Sequence, residues 1–147
     1  RLLSVPVLYL SRYINQHKAD YYRLLQAVRV GDAWQEWVLY MLEGIEQTSR
    51  QTIVLIQGIK ELMQHHKHKL RGELPKIYSQ DLINNIFRHP YTKIEFVMTE
   101  LQVSRITATR YLNELTRIGL MTKYRLGRDN YYVNDALYTL LGNTNAH

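Results

Sequence analysis

The stretch that most constrains the fold is residues 103–133, with the sequence VSRITATRYLNELTRIGL followed by MTKYRLGRDNYYV. Ser104 is a residue type that caps helices, because its hydroxyl oxygen accepts a hydrogen bond from an amide of the first turn. The spacing of apolar residues predicts a helix over about residues 104–118. Gly119 follows, and glycine favours the left-handed conformation in which many helices end.

A β-hairpin is predicted directly after this helix. Residues 121–126 and 131–133 form its strands, since Gly-Arg-Asp-Asn at 127–130 is typical of a turn. Two short helices precede the capped helix, over about residues 80–88 and 93–101. Three short helices followed by a hairpin wing predict a winged helix-turn-helix.

Local signals mark the start of both short helices. Ser79 is expected to cap the first, and Pro90 interrupts the chain after it. Thr92 and Glu95 have the spacing of a capping box, in which each side chain accepts a hydrogen bond from the other's amide. We therefore expect Thr92 to cap the second helix.

The first half of the chain predicts helices throughout. Pro6 suits the first turn of a helix over residues 7–17. Asp20 is expected to cap a second helix over residues 20–30, and Gly31 to end it in the left-handed conformation.

A much longer helix is predicted over about residues 33–70. Its apolar residues recur at steps of three and four, and they are Trp34, Val38, Met41, Leu42, Ile45, Ile56, Ile59 and Met63. Gly72 marks the best domain boundary. The expected architecture is mainly α, with a helical segment over 1–72 that contains the long helix, then a winged helix-turn-helix domain with a small β-hairpin wing over 73–147.

Composition excludes some functions and leaves others open. The chain has no cysteine, which excludes disulfides and thiolate metal sites. No apolar run is long enough for a membrane span and no secretory signal is present, so we expect a cytoplasmic protein without a membrane partner. The net charge is +6, but residues 1–72 carry +4 (10 − 6) and residues 73–147 only +2 (9 − 7). A polyanionic partner must therefore be argued from where the charges lie.

The helix over 104–118 has two chemically different sides. Ala108, Tyr111, Leu112, Leu115 and Ile118 share one side, which is expected to pack on the preceding helices. The other side carries Arg, Thr and Asn, with Ile106 among them, and these residue types contact base edges in a DNA major groove. The basic wing residues suit phosphate contacts. The predicted DNA-binding residues are Ser104, Arg105, Thr107, Thr109, Arg110, Asn113, Arg117, Lys123, Arg125 and Arg128.

Three stretches together carry a family resemblance. They are LLSVPVLYLSRYI at 2–14, KADYYRLLQAVRVGDAWQEWVLYMLEGI at 18–45, and the winged helix after them. Together they resemble the C-terminal part of bacterial Fic-family proteins, in the class whose Fic core is followed by a winged helix. The resemblance implies a parent protein that uses ATP and magnesium to transfer AMP to a hydroxyl of a target protein.

The Fic signature HPFx(D/E)GNGR is absent from this sequence. His89 and Pro90 imitate its first two letters, but Thr-Lys-Ile-Glu-Phe follows Tyr91, without the glycines that a phosphate-binding loop needs. No catalytic residue is therefore assigned, and the chain is expected to begin downstream of the catalytic loop.

The resemblance also implies half of a nucleotide site. Tyr21 and Tyr22 match a tyrosine pair that lies beside the base and ribose in Fic proteins, and Arg29 stands where some members have an adenine-binding Asn. Ordinary helix packing explains the tyrosines equally well. We expect weak ATP binding at most, and no metal site at His65, His66 and His68. Core positions are expected for Tyr9, Tyr13, Tyr40, Tyr111 and Tyr138.

The leading hypothesis is the C-terminal, non-catalytic part of a Fic-family AMP-transferase, whose winged helix binds double-stranded DNA or docks the target protein. One alternative is a stand-alone transcriptional regulator that forms a homodimer through its long helix. Another is a protein-interaction module without a nucleic-acid partner.

Overall fold

A computed structural model describes residues 9–143 and shows a mainly α protein. Its helices are α1 (Leu10–Gln16), α2 (Lys18–Gly31), α3 (Trp34–Glu73), α4 (Gln80–Arg88), α5 (Ile94–Leu101), α6 (Arg105–Arg117) and α7 (Asp135–Asn143). Its strands are β1 (Tyr91–Thr92), β2 (Thr122–Leu126) and β3 (Asp129–Val133). The predicted fold class is therefore confirmed. No helix of the described part is long and apolar enough to cross a membrane.

The chain divides into two compact units, Arg1–Ile56 (unit 1) and Gln57–His147 (unit 2), and the division falls within α3. The long helix agrees with the predicted residues 33–70 to within a few residues. The proposed domain boundary at residues 72 and 73 stays a prediction.

Unit 1 contains α1, α2 and the first part of α3, around a small core of Tyr13, Leu24 and Tyr40. Two predicted helix ends are wrong here. The N-cap of α2 is His17, without a side-chain hydrogen bond, so Asp20 lies inside the first turn instead of capping it. The left-handed residue at the C-terminal end is Asp32 (φ +55°), because the helix continues through Gly31.

Of the two N-caps predicted for the short helices of unit 2, the structure has one and lacks the other. Ser79 caps α4 and accepts a hydrogen bond from the amide of Leu82 (3.1 Å). The capping box is wrong, because Thr92 lies in β1, buried, and its hydroxyl donates to Asn85 Oδ1 (2.8 Å). Lys93 occupies the N-cap position of α5 without a side-chain cap.

Helix α6 has both predicted end signals. The Ser104 hydroxyl accepts a hydrogen bond from the Thr107 amide (3.2 Å). Gly119 has φ +73°, and its amide bonds to the Thr116 carbonyl while that of Leu120 bonds to Leu115. This pair of bonds is a Schellman motif, and it needs a residue that tolerates positive φ.

The three strands form an antiparallel sheet in the order β1-β3-β2. The hairpin turn is tighter than predicted, because Leu126 pairs with Asp129 and only residues 127 and 128 connect the strands. Gly127 has φ +62°, as the first residue of a type II′ turn requires.

Strand β1 and helix α7 were not predicted. Tyr9 and Tyr138 were expected in the core and are exposed, whereas Tyr13 and Tyr40 are buried and Tyr111 packs against the core of unit 2.

Candidate nucleic-acid interface

Helix α6 lies with the predicted apolar side against the core of unit 2. Ala108, Leu112 and Leu115 are fully buried and Ile118 nearly so. They belong to one cluster with residues of α4 and α5, including Ile94 and Val97. The polar side of α6 therefore faces away from the core, as a helix that enters a groove must.

The outer side of α6 carries fewer unpaired charges than the sequence suggests. Arg105 forms an ion pair with Glu95 of α5 (3.0 Å), and Arg117 forms one with Glu114 (2.8 Å). Arg110 is exposed, with its guanidinium 5.6 Å from the Tyr111 ring centre. Arg110 is therefore the arginine of α6 that no described carboxylate neutralises.

Three predicted hydroxyl contacts are used within the helix. Ser104 caps the helix and also lies 3.1 Å from Thr107 Oγ1. The Thr109 hydroxyl donates to the Arg105 carbonyl (2.8 Å). These hydrogen bonds stabilise the first turns of the helix.

Tyr132 joins α6 to the wing. It is fully buried, and its hydroxyl donates to Asn113 Oδ1 on α6 (3.3 Å). Lys123 pairs with Tyr132 across the hairpin, and its Nζ lies 5.7 Å from the ring centre. Asn113 and Lys123 are both exposed, and both contact the side chain of Tyr132. The sequence analysis missed this role of Tyr132, although alternation along β3 could have placed it inward.

The remaining wing cations lie toward the tip. Arg125 and Arg128 are exposed, and Arg125 Nε donates to the Gly127 carbonyl (3.4 Å). Lys93, the N-cap residue of α5, holds the end of β3 next to the turn, because its Nζ lies 3.0 Å from Asp129 and 4.3 Å from the Tyr131 ring centre. Tyr131 and Asp129 raise the pKa of Lys93, which stays charged. The wing thus presents Lys123, Arg125 and Arg128 from a fixed support.

The other face of the sheet forms an apolar groove with a volume of about 690 Å³. Tyr91 and Tyr131 lie next to each other there, with ring centres 5.6 Å apart. We call this surface the aromatic groove, and its main residues are Tyr91, Tyr124, Leu126, Tyr131, Val133 and Tyr138.

The predicted nucleotide residues in unit 1 do not all face the same way. Tyr21 is half-buried and packs against Trp37, with ring centres 5.2 Å apart. Tyr22 and Arg29 are exposed and lie seven residues apart on one side of α2. They offer a stacking surface for a base, but the three residues include one cation for a triphosphate and no carboxylate for magnesium, so they alone do not fit ATP with magnesium. The half-site stays a prediction.

The side chains of His66 and His89 make packing contacts with aromatic rings. His66 is buried, its Nδ1 lies 3.0 Å from the Leu62 carbonyl, and its ring contacts Phe87 edge-on at 5.1 Å. His89 follows α4 and stacks on Tyr91. Among the described residues, no three His, Asp or Glu side chains come together as metal ligands.

A comparison with protein families identifies the domain that contains this surface. The sequence model described as "Protein adenylyltransferase SoFic-like, C-terminal domain" matches residues 62–137, slightly more than half of the 147 residues. The match runs from the last turns of α3 through α6 and the hairpin into α7. The chain therefore belongs to the SoFic-like family of protein adenylyltransferases and carries their C-terminal domain.

Proposed function

We propose that unit 2 binds double-stranded DNA through α6 and the wing, as the accessory domain of a bacterial protein adenylyltransferase. The observation that supports the proposal is the pair of contacts made by the buried Tyr132, with Asn113 on the outer side of α6 and with Lys123 on the basic strand β2. Arg110 and Asn113 suit base edges, whereas Lys123, Arg125 and Arg128 suit phosphates. The proposal implies a cytoplasmic location, where both DNA and ATP are present.

Salt dependence of binding to a mixed-sequence duplex tests this function. Counterion release makes the affinity fall steeply with salt, and each lost phosphate contact lowers the slope by about 1. We expect Arg110→Ala and Arg128→Ala to weaken binding. Arg50→Ala is the matched control, because Arg50 is also exposed but lies in unit 1 and pairs with Glu46. Absent or salt-independent binding would contradict the proposal.

The catalytic step belongs, in this proposal, to residues outside this sequence. The name of the family implies transfer of AMP to proteins, and the signature HPFx(D/E)GNGR does not occur among the 147 residues. ATP and magnesium would be held by a Fic core, with Tyr21, Tyr22 and Arg29 at most beside the base. We expect no labelled AMP on any protein incubated with labelled ATP and this chain alone, and label transfer would overturn this assignment.

Docking of the target protein is a second candidate function, and the aromatic groove favours it. Apolar patches of this kind on a soluble protein often mark protein contacts. In the complete enzyme, Tyr124→Ser with Tyr138→Ser should then slow AMP transfer to the target and leave DNA affinity unchanged. Both side chains are about half exposed or more, so the double variant should fold. Unchanged transfer rates would remove this candidate.

A further inference from the structure

Ile106 is an exposed apolar residue at the N-terminal end of the side that α6 turns away from the core. It is the second residue of the helix, and 84% of its accessible surface is exposed. It lies nine residues before Leu115, which is half a turn around a helix with 3.6 residues per turn. Leu115 is fully buried, so Ile106 points directly away from the core of unit 2.

The neighbours of Ile106 on this side of α6 are polar, and one of them is held by a hydrogen bond. Arg110 lies one turn further along, and Asn113 lies two turns further. Tyr132 holds Asn113 through its side-chain oxygen, so the amide nitrogen of Asn113 stays free to donate. The central row of α6 therefore offers a methyl-rich side chain, a guanidinium and an oriented amide.

We infer that Ile106 contacts the C5-methyl group of a thymine in the major groove and makes the domain select thymine at that position. The inference rests on the proposed DNA-binding function. The first residues of a recognition helix contact base edges, and thymine alone places an apolar group on the major-groove edge. An isoleucine with two polar neighbours matches a base edge in which one methyl adjoins hydrogen-bonding atoms.

Uracil provides the test, because it differs from thymine only by the missing methyl group. A preferred duplex is first selected from a random-sequence library with the wild-type chain. Each thymine of that duplex is then replaced by deoxyuridine, one position at a time, and the affinities are measured. The wild type should lose about fourfold in affinity at one thymine, which is the effect expected for one buried methyl group.

Two variants make the result specific to Ile106. Ile106→Ala should bind the thymine and uracil duplexes equally, and it should fold because the side chain is exposed and alanine favours helix. Arg128→Ala should weaken binding to both duplexes and keep the fourfold difference. Equal affinity of the wild type for every uracil duplex would overturn the inference and leave DNA binding intact.

Two other outcomes would also contradict the inference. If the wild type binds no duplex, the proposed function fails and the inference fails with it. If Ile106→Ala keeps the thymine preference but slows AMP transfer by the complete enzyme, Ile106 contacts a protein and the inference is wrong.

Discussion

Units 1 and 2 differ in how much of their apolar surface is buried within the unit. The core of unit 2 includes residues of α3–α6 and the sheet, and several of its side chains are fully buried. Among its described residues, unit 1 has a core of three buried residues, while one side of α3 exposes apolar side chains: Trp34, Val38, Leu42, Ile45, Ile53 and Ile56. Unit 2 thus has the core of a self-sufficient domain, and unit 1 has the apolar stripe typical of a helix that packs on a further surface.

The largest expected effect is on the core of unit 2. Leu112→Ala removes a fully buried side chain from the middle of α6, so it should lower the free energy of unfolding by about 2–5 kcal/mol. Ile53→Ala in unit 1 is the matched control and should change it by less than about 0.5 kcal/mol, since Ile53 is 54% exposed. Urea unfolding followed by circular dichroism measures both. Similar losses would show that the stripe of unit 1 is buried in solution.

Alanine substitutions at two glycines of α3, Gly44 and Gly72, test whether unit 1 is tightly packed around Tyr13. A Cβ on Gly44 would lie 2.5 Å from Cδ1 and 2.9 Å from Cε1 of the buried Tyr13 ring. The clash caused by Gly44→Ala should therefore destabilise unit 1 by about 1–3 kcal/mol. The higher helix propensity of alanine should offset at most about 1 kcal/mol of that loss. Gly72→Ala, with nothing within 4 Å, should instead stabilise the chain. A stabilising Gly44→Ala would show that the small core adapts readily.

The end signals of α6 show what the sequence could reveal. Ser104 and Gly119 act on neighbouring backbone, so they predicted the helix, and the spacing of Leu112 and Leu115 predicted its buried side. Thr92 misled the prediction because Asn85, on another element, binds its hydroxyl. Helix α7 had a usable signal that was overlooked, since Asn134 caps it by accepting from the Leu137 amide (3.1 Å).

For the predicted interface too, the sequence indicates local properties but not contacts between separate elements. The exposed side of α6 followed from periodicity, which is a local property. The pairing of Arg105 with Glu95 depends on how α5 crosses α6, and no spacing in the sequence gives that angle. The list of candidate residues therefore named polar residues of the helix face, left out the exposed Ile106, and did not show which charges are neutralised.

The stability of the two units should also depend on pH in opposite directions. Burial lowers the pKa of His66 below 6.5, and hydrogen bonding to Leu62 opposes this only in part. The unfolded chain then binds more protons, so unit 2 should lose stability as the pH falls through about 6.5. In unit 1, burial raises the pKa of Tyr13 and Tyr40 above 10.0, so this unit should lose stability as the pH rises past 10.

Separate probes can follow the two units. Both tryptophans lie in unit 1, so their fluorescence reports unit 1, while hydrogen exchange of α6 amides reports unit 2. His66→Gln should flatten the acid dependence of unit 2. His68→Gln, at an exposed position, is the control and should not. An acid loss that persists in His66→Gln would assign it to another group.

The smallest expected effect concerns the ion pairs, which also differ between the units. The Arg50–Glu46 pair of unit 1 lies within one helix, whereas the Arg105–Glu95 pair of unit 2 joins α5 to α6 at the proposed interface. Glu95→Gln removes a charge that repels phosphate and releases Arg105, so DNA affinity should rise a few-fold with a steeper salt dependence. Because both side chains are more than half exposed, stability should change by about 1 kcal/mol at most. Glu46→Gln makes the same change in charge in unit 1, and an equal gain there would mean that net charge, and not the geometry of α6, determines binding.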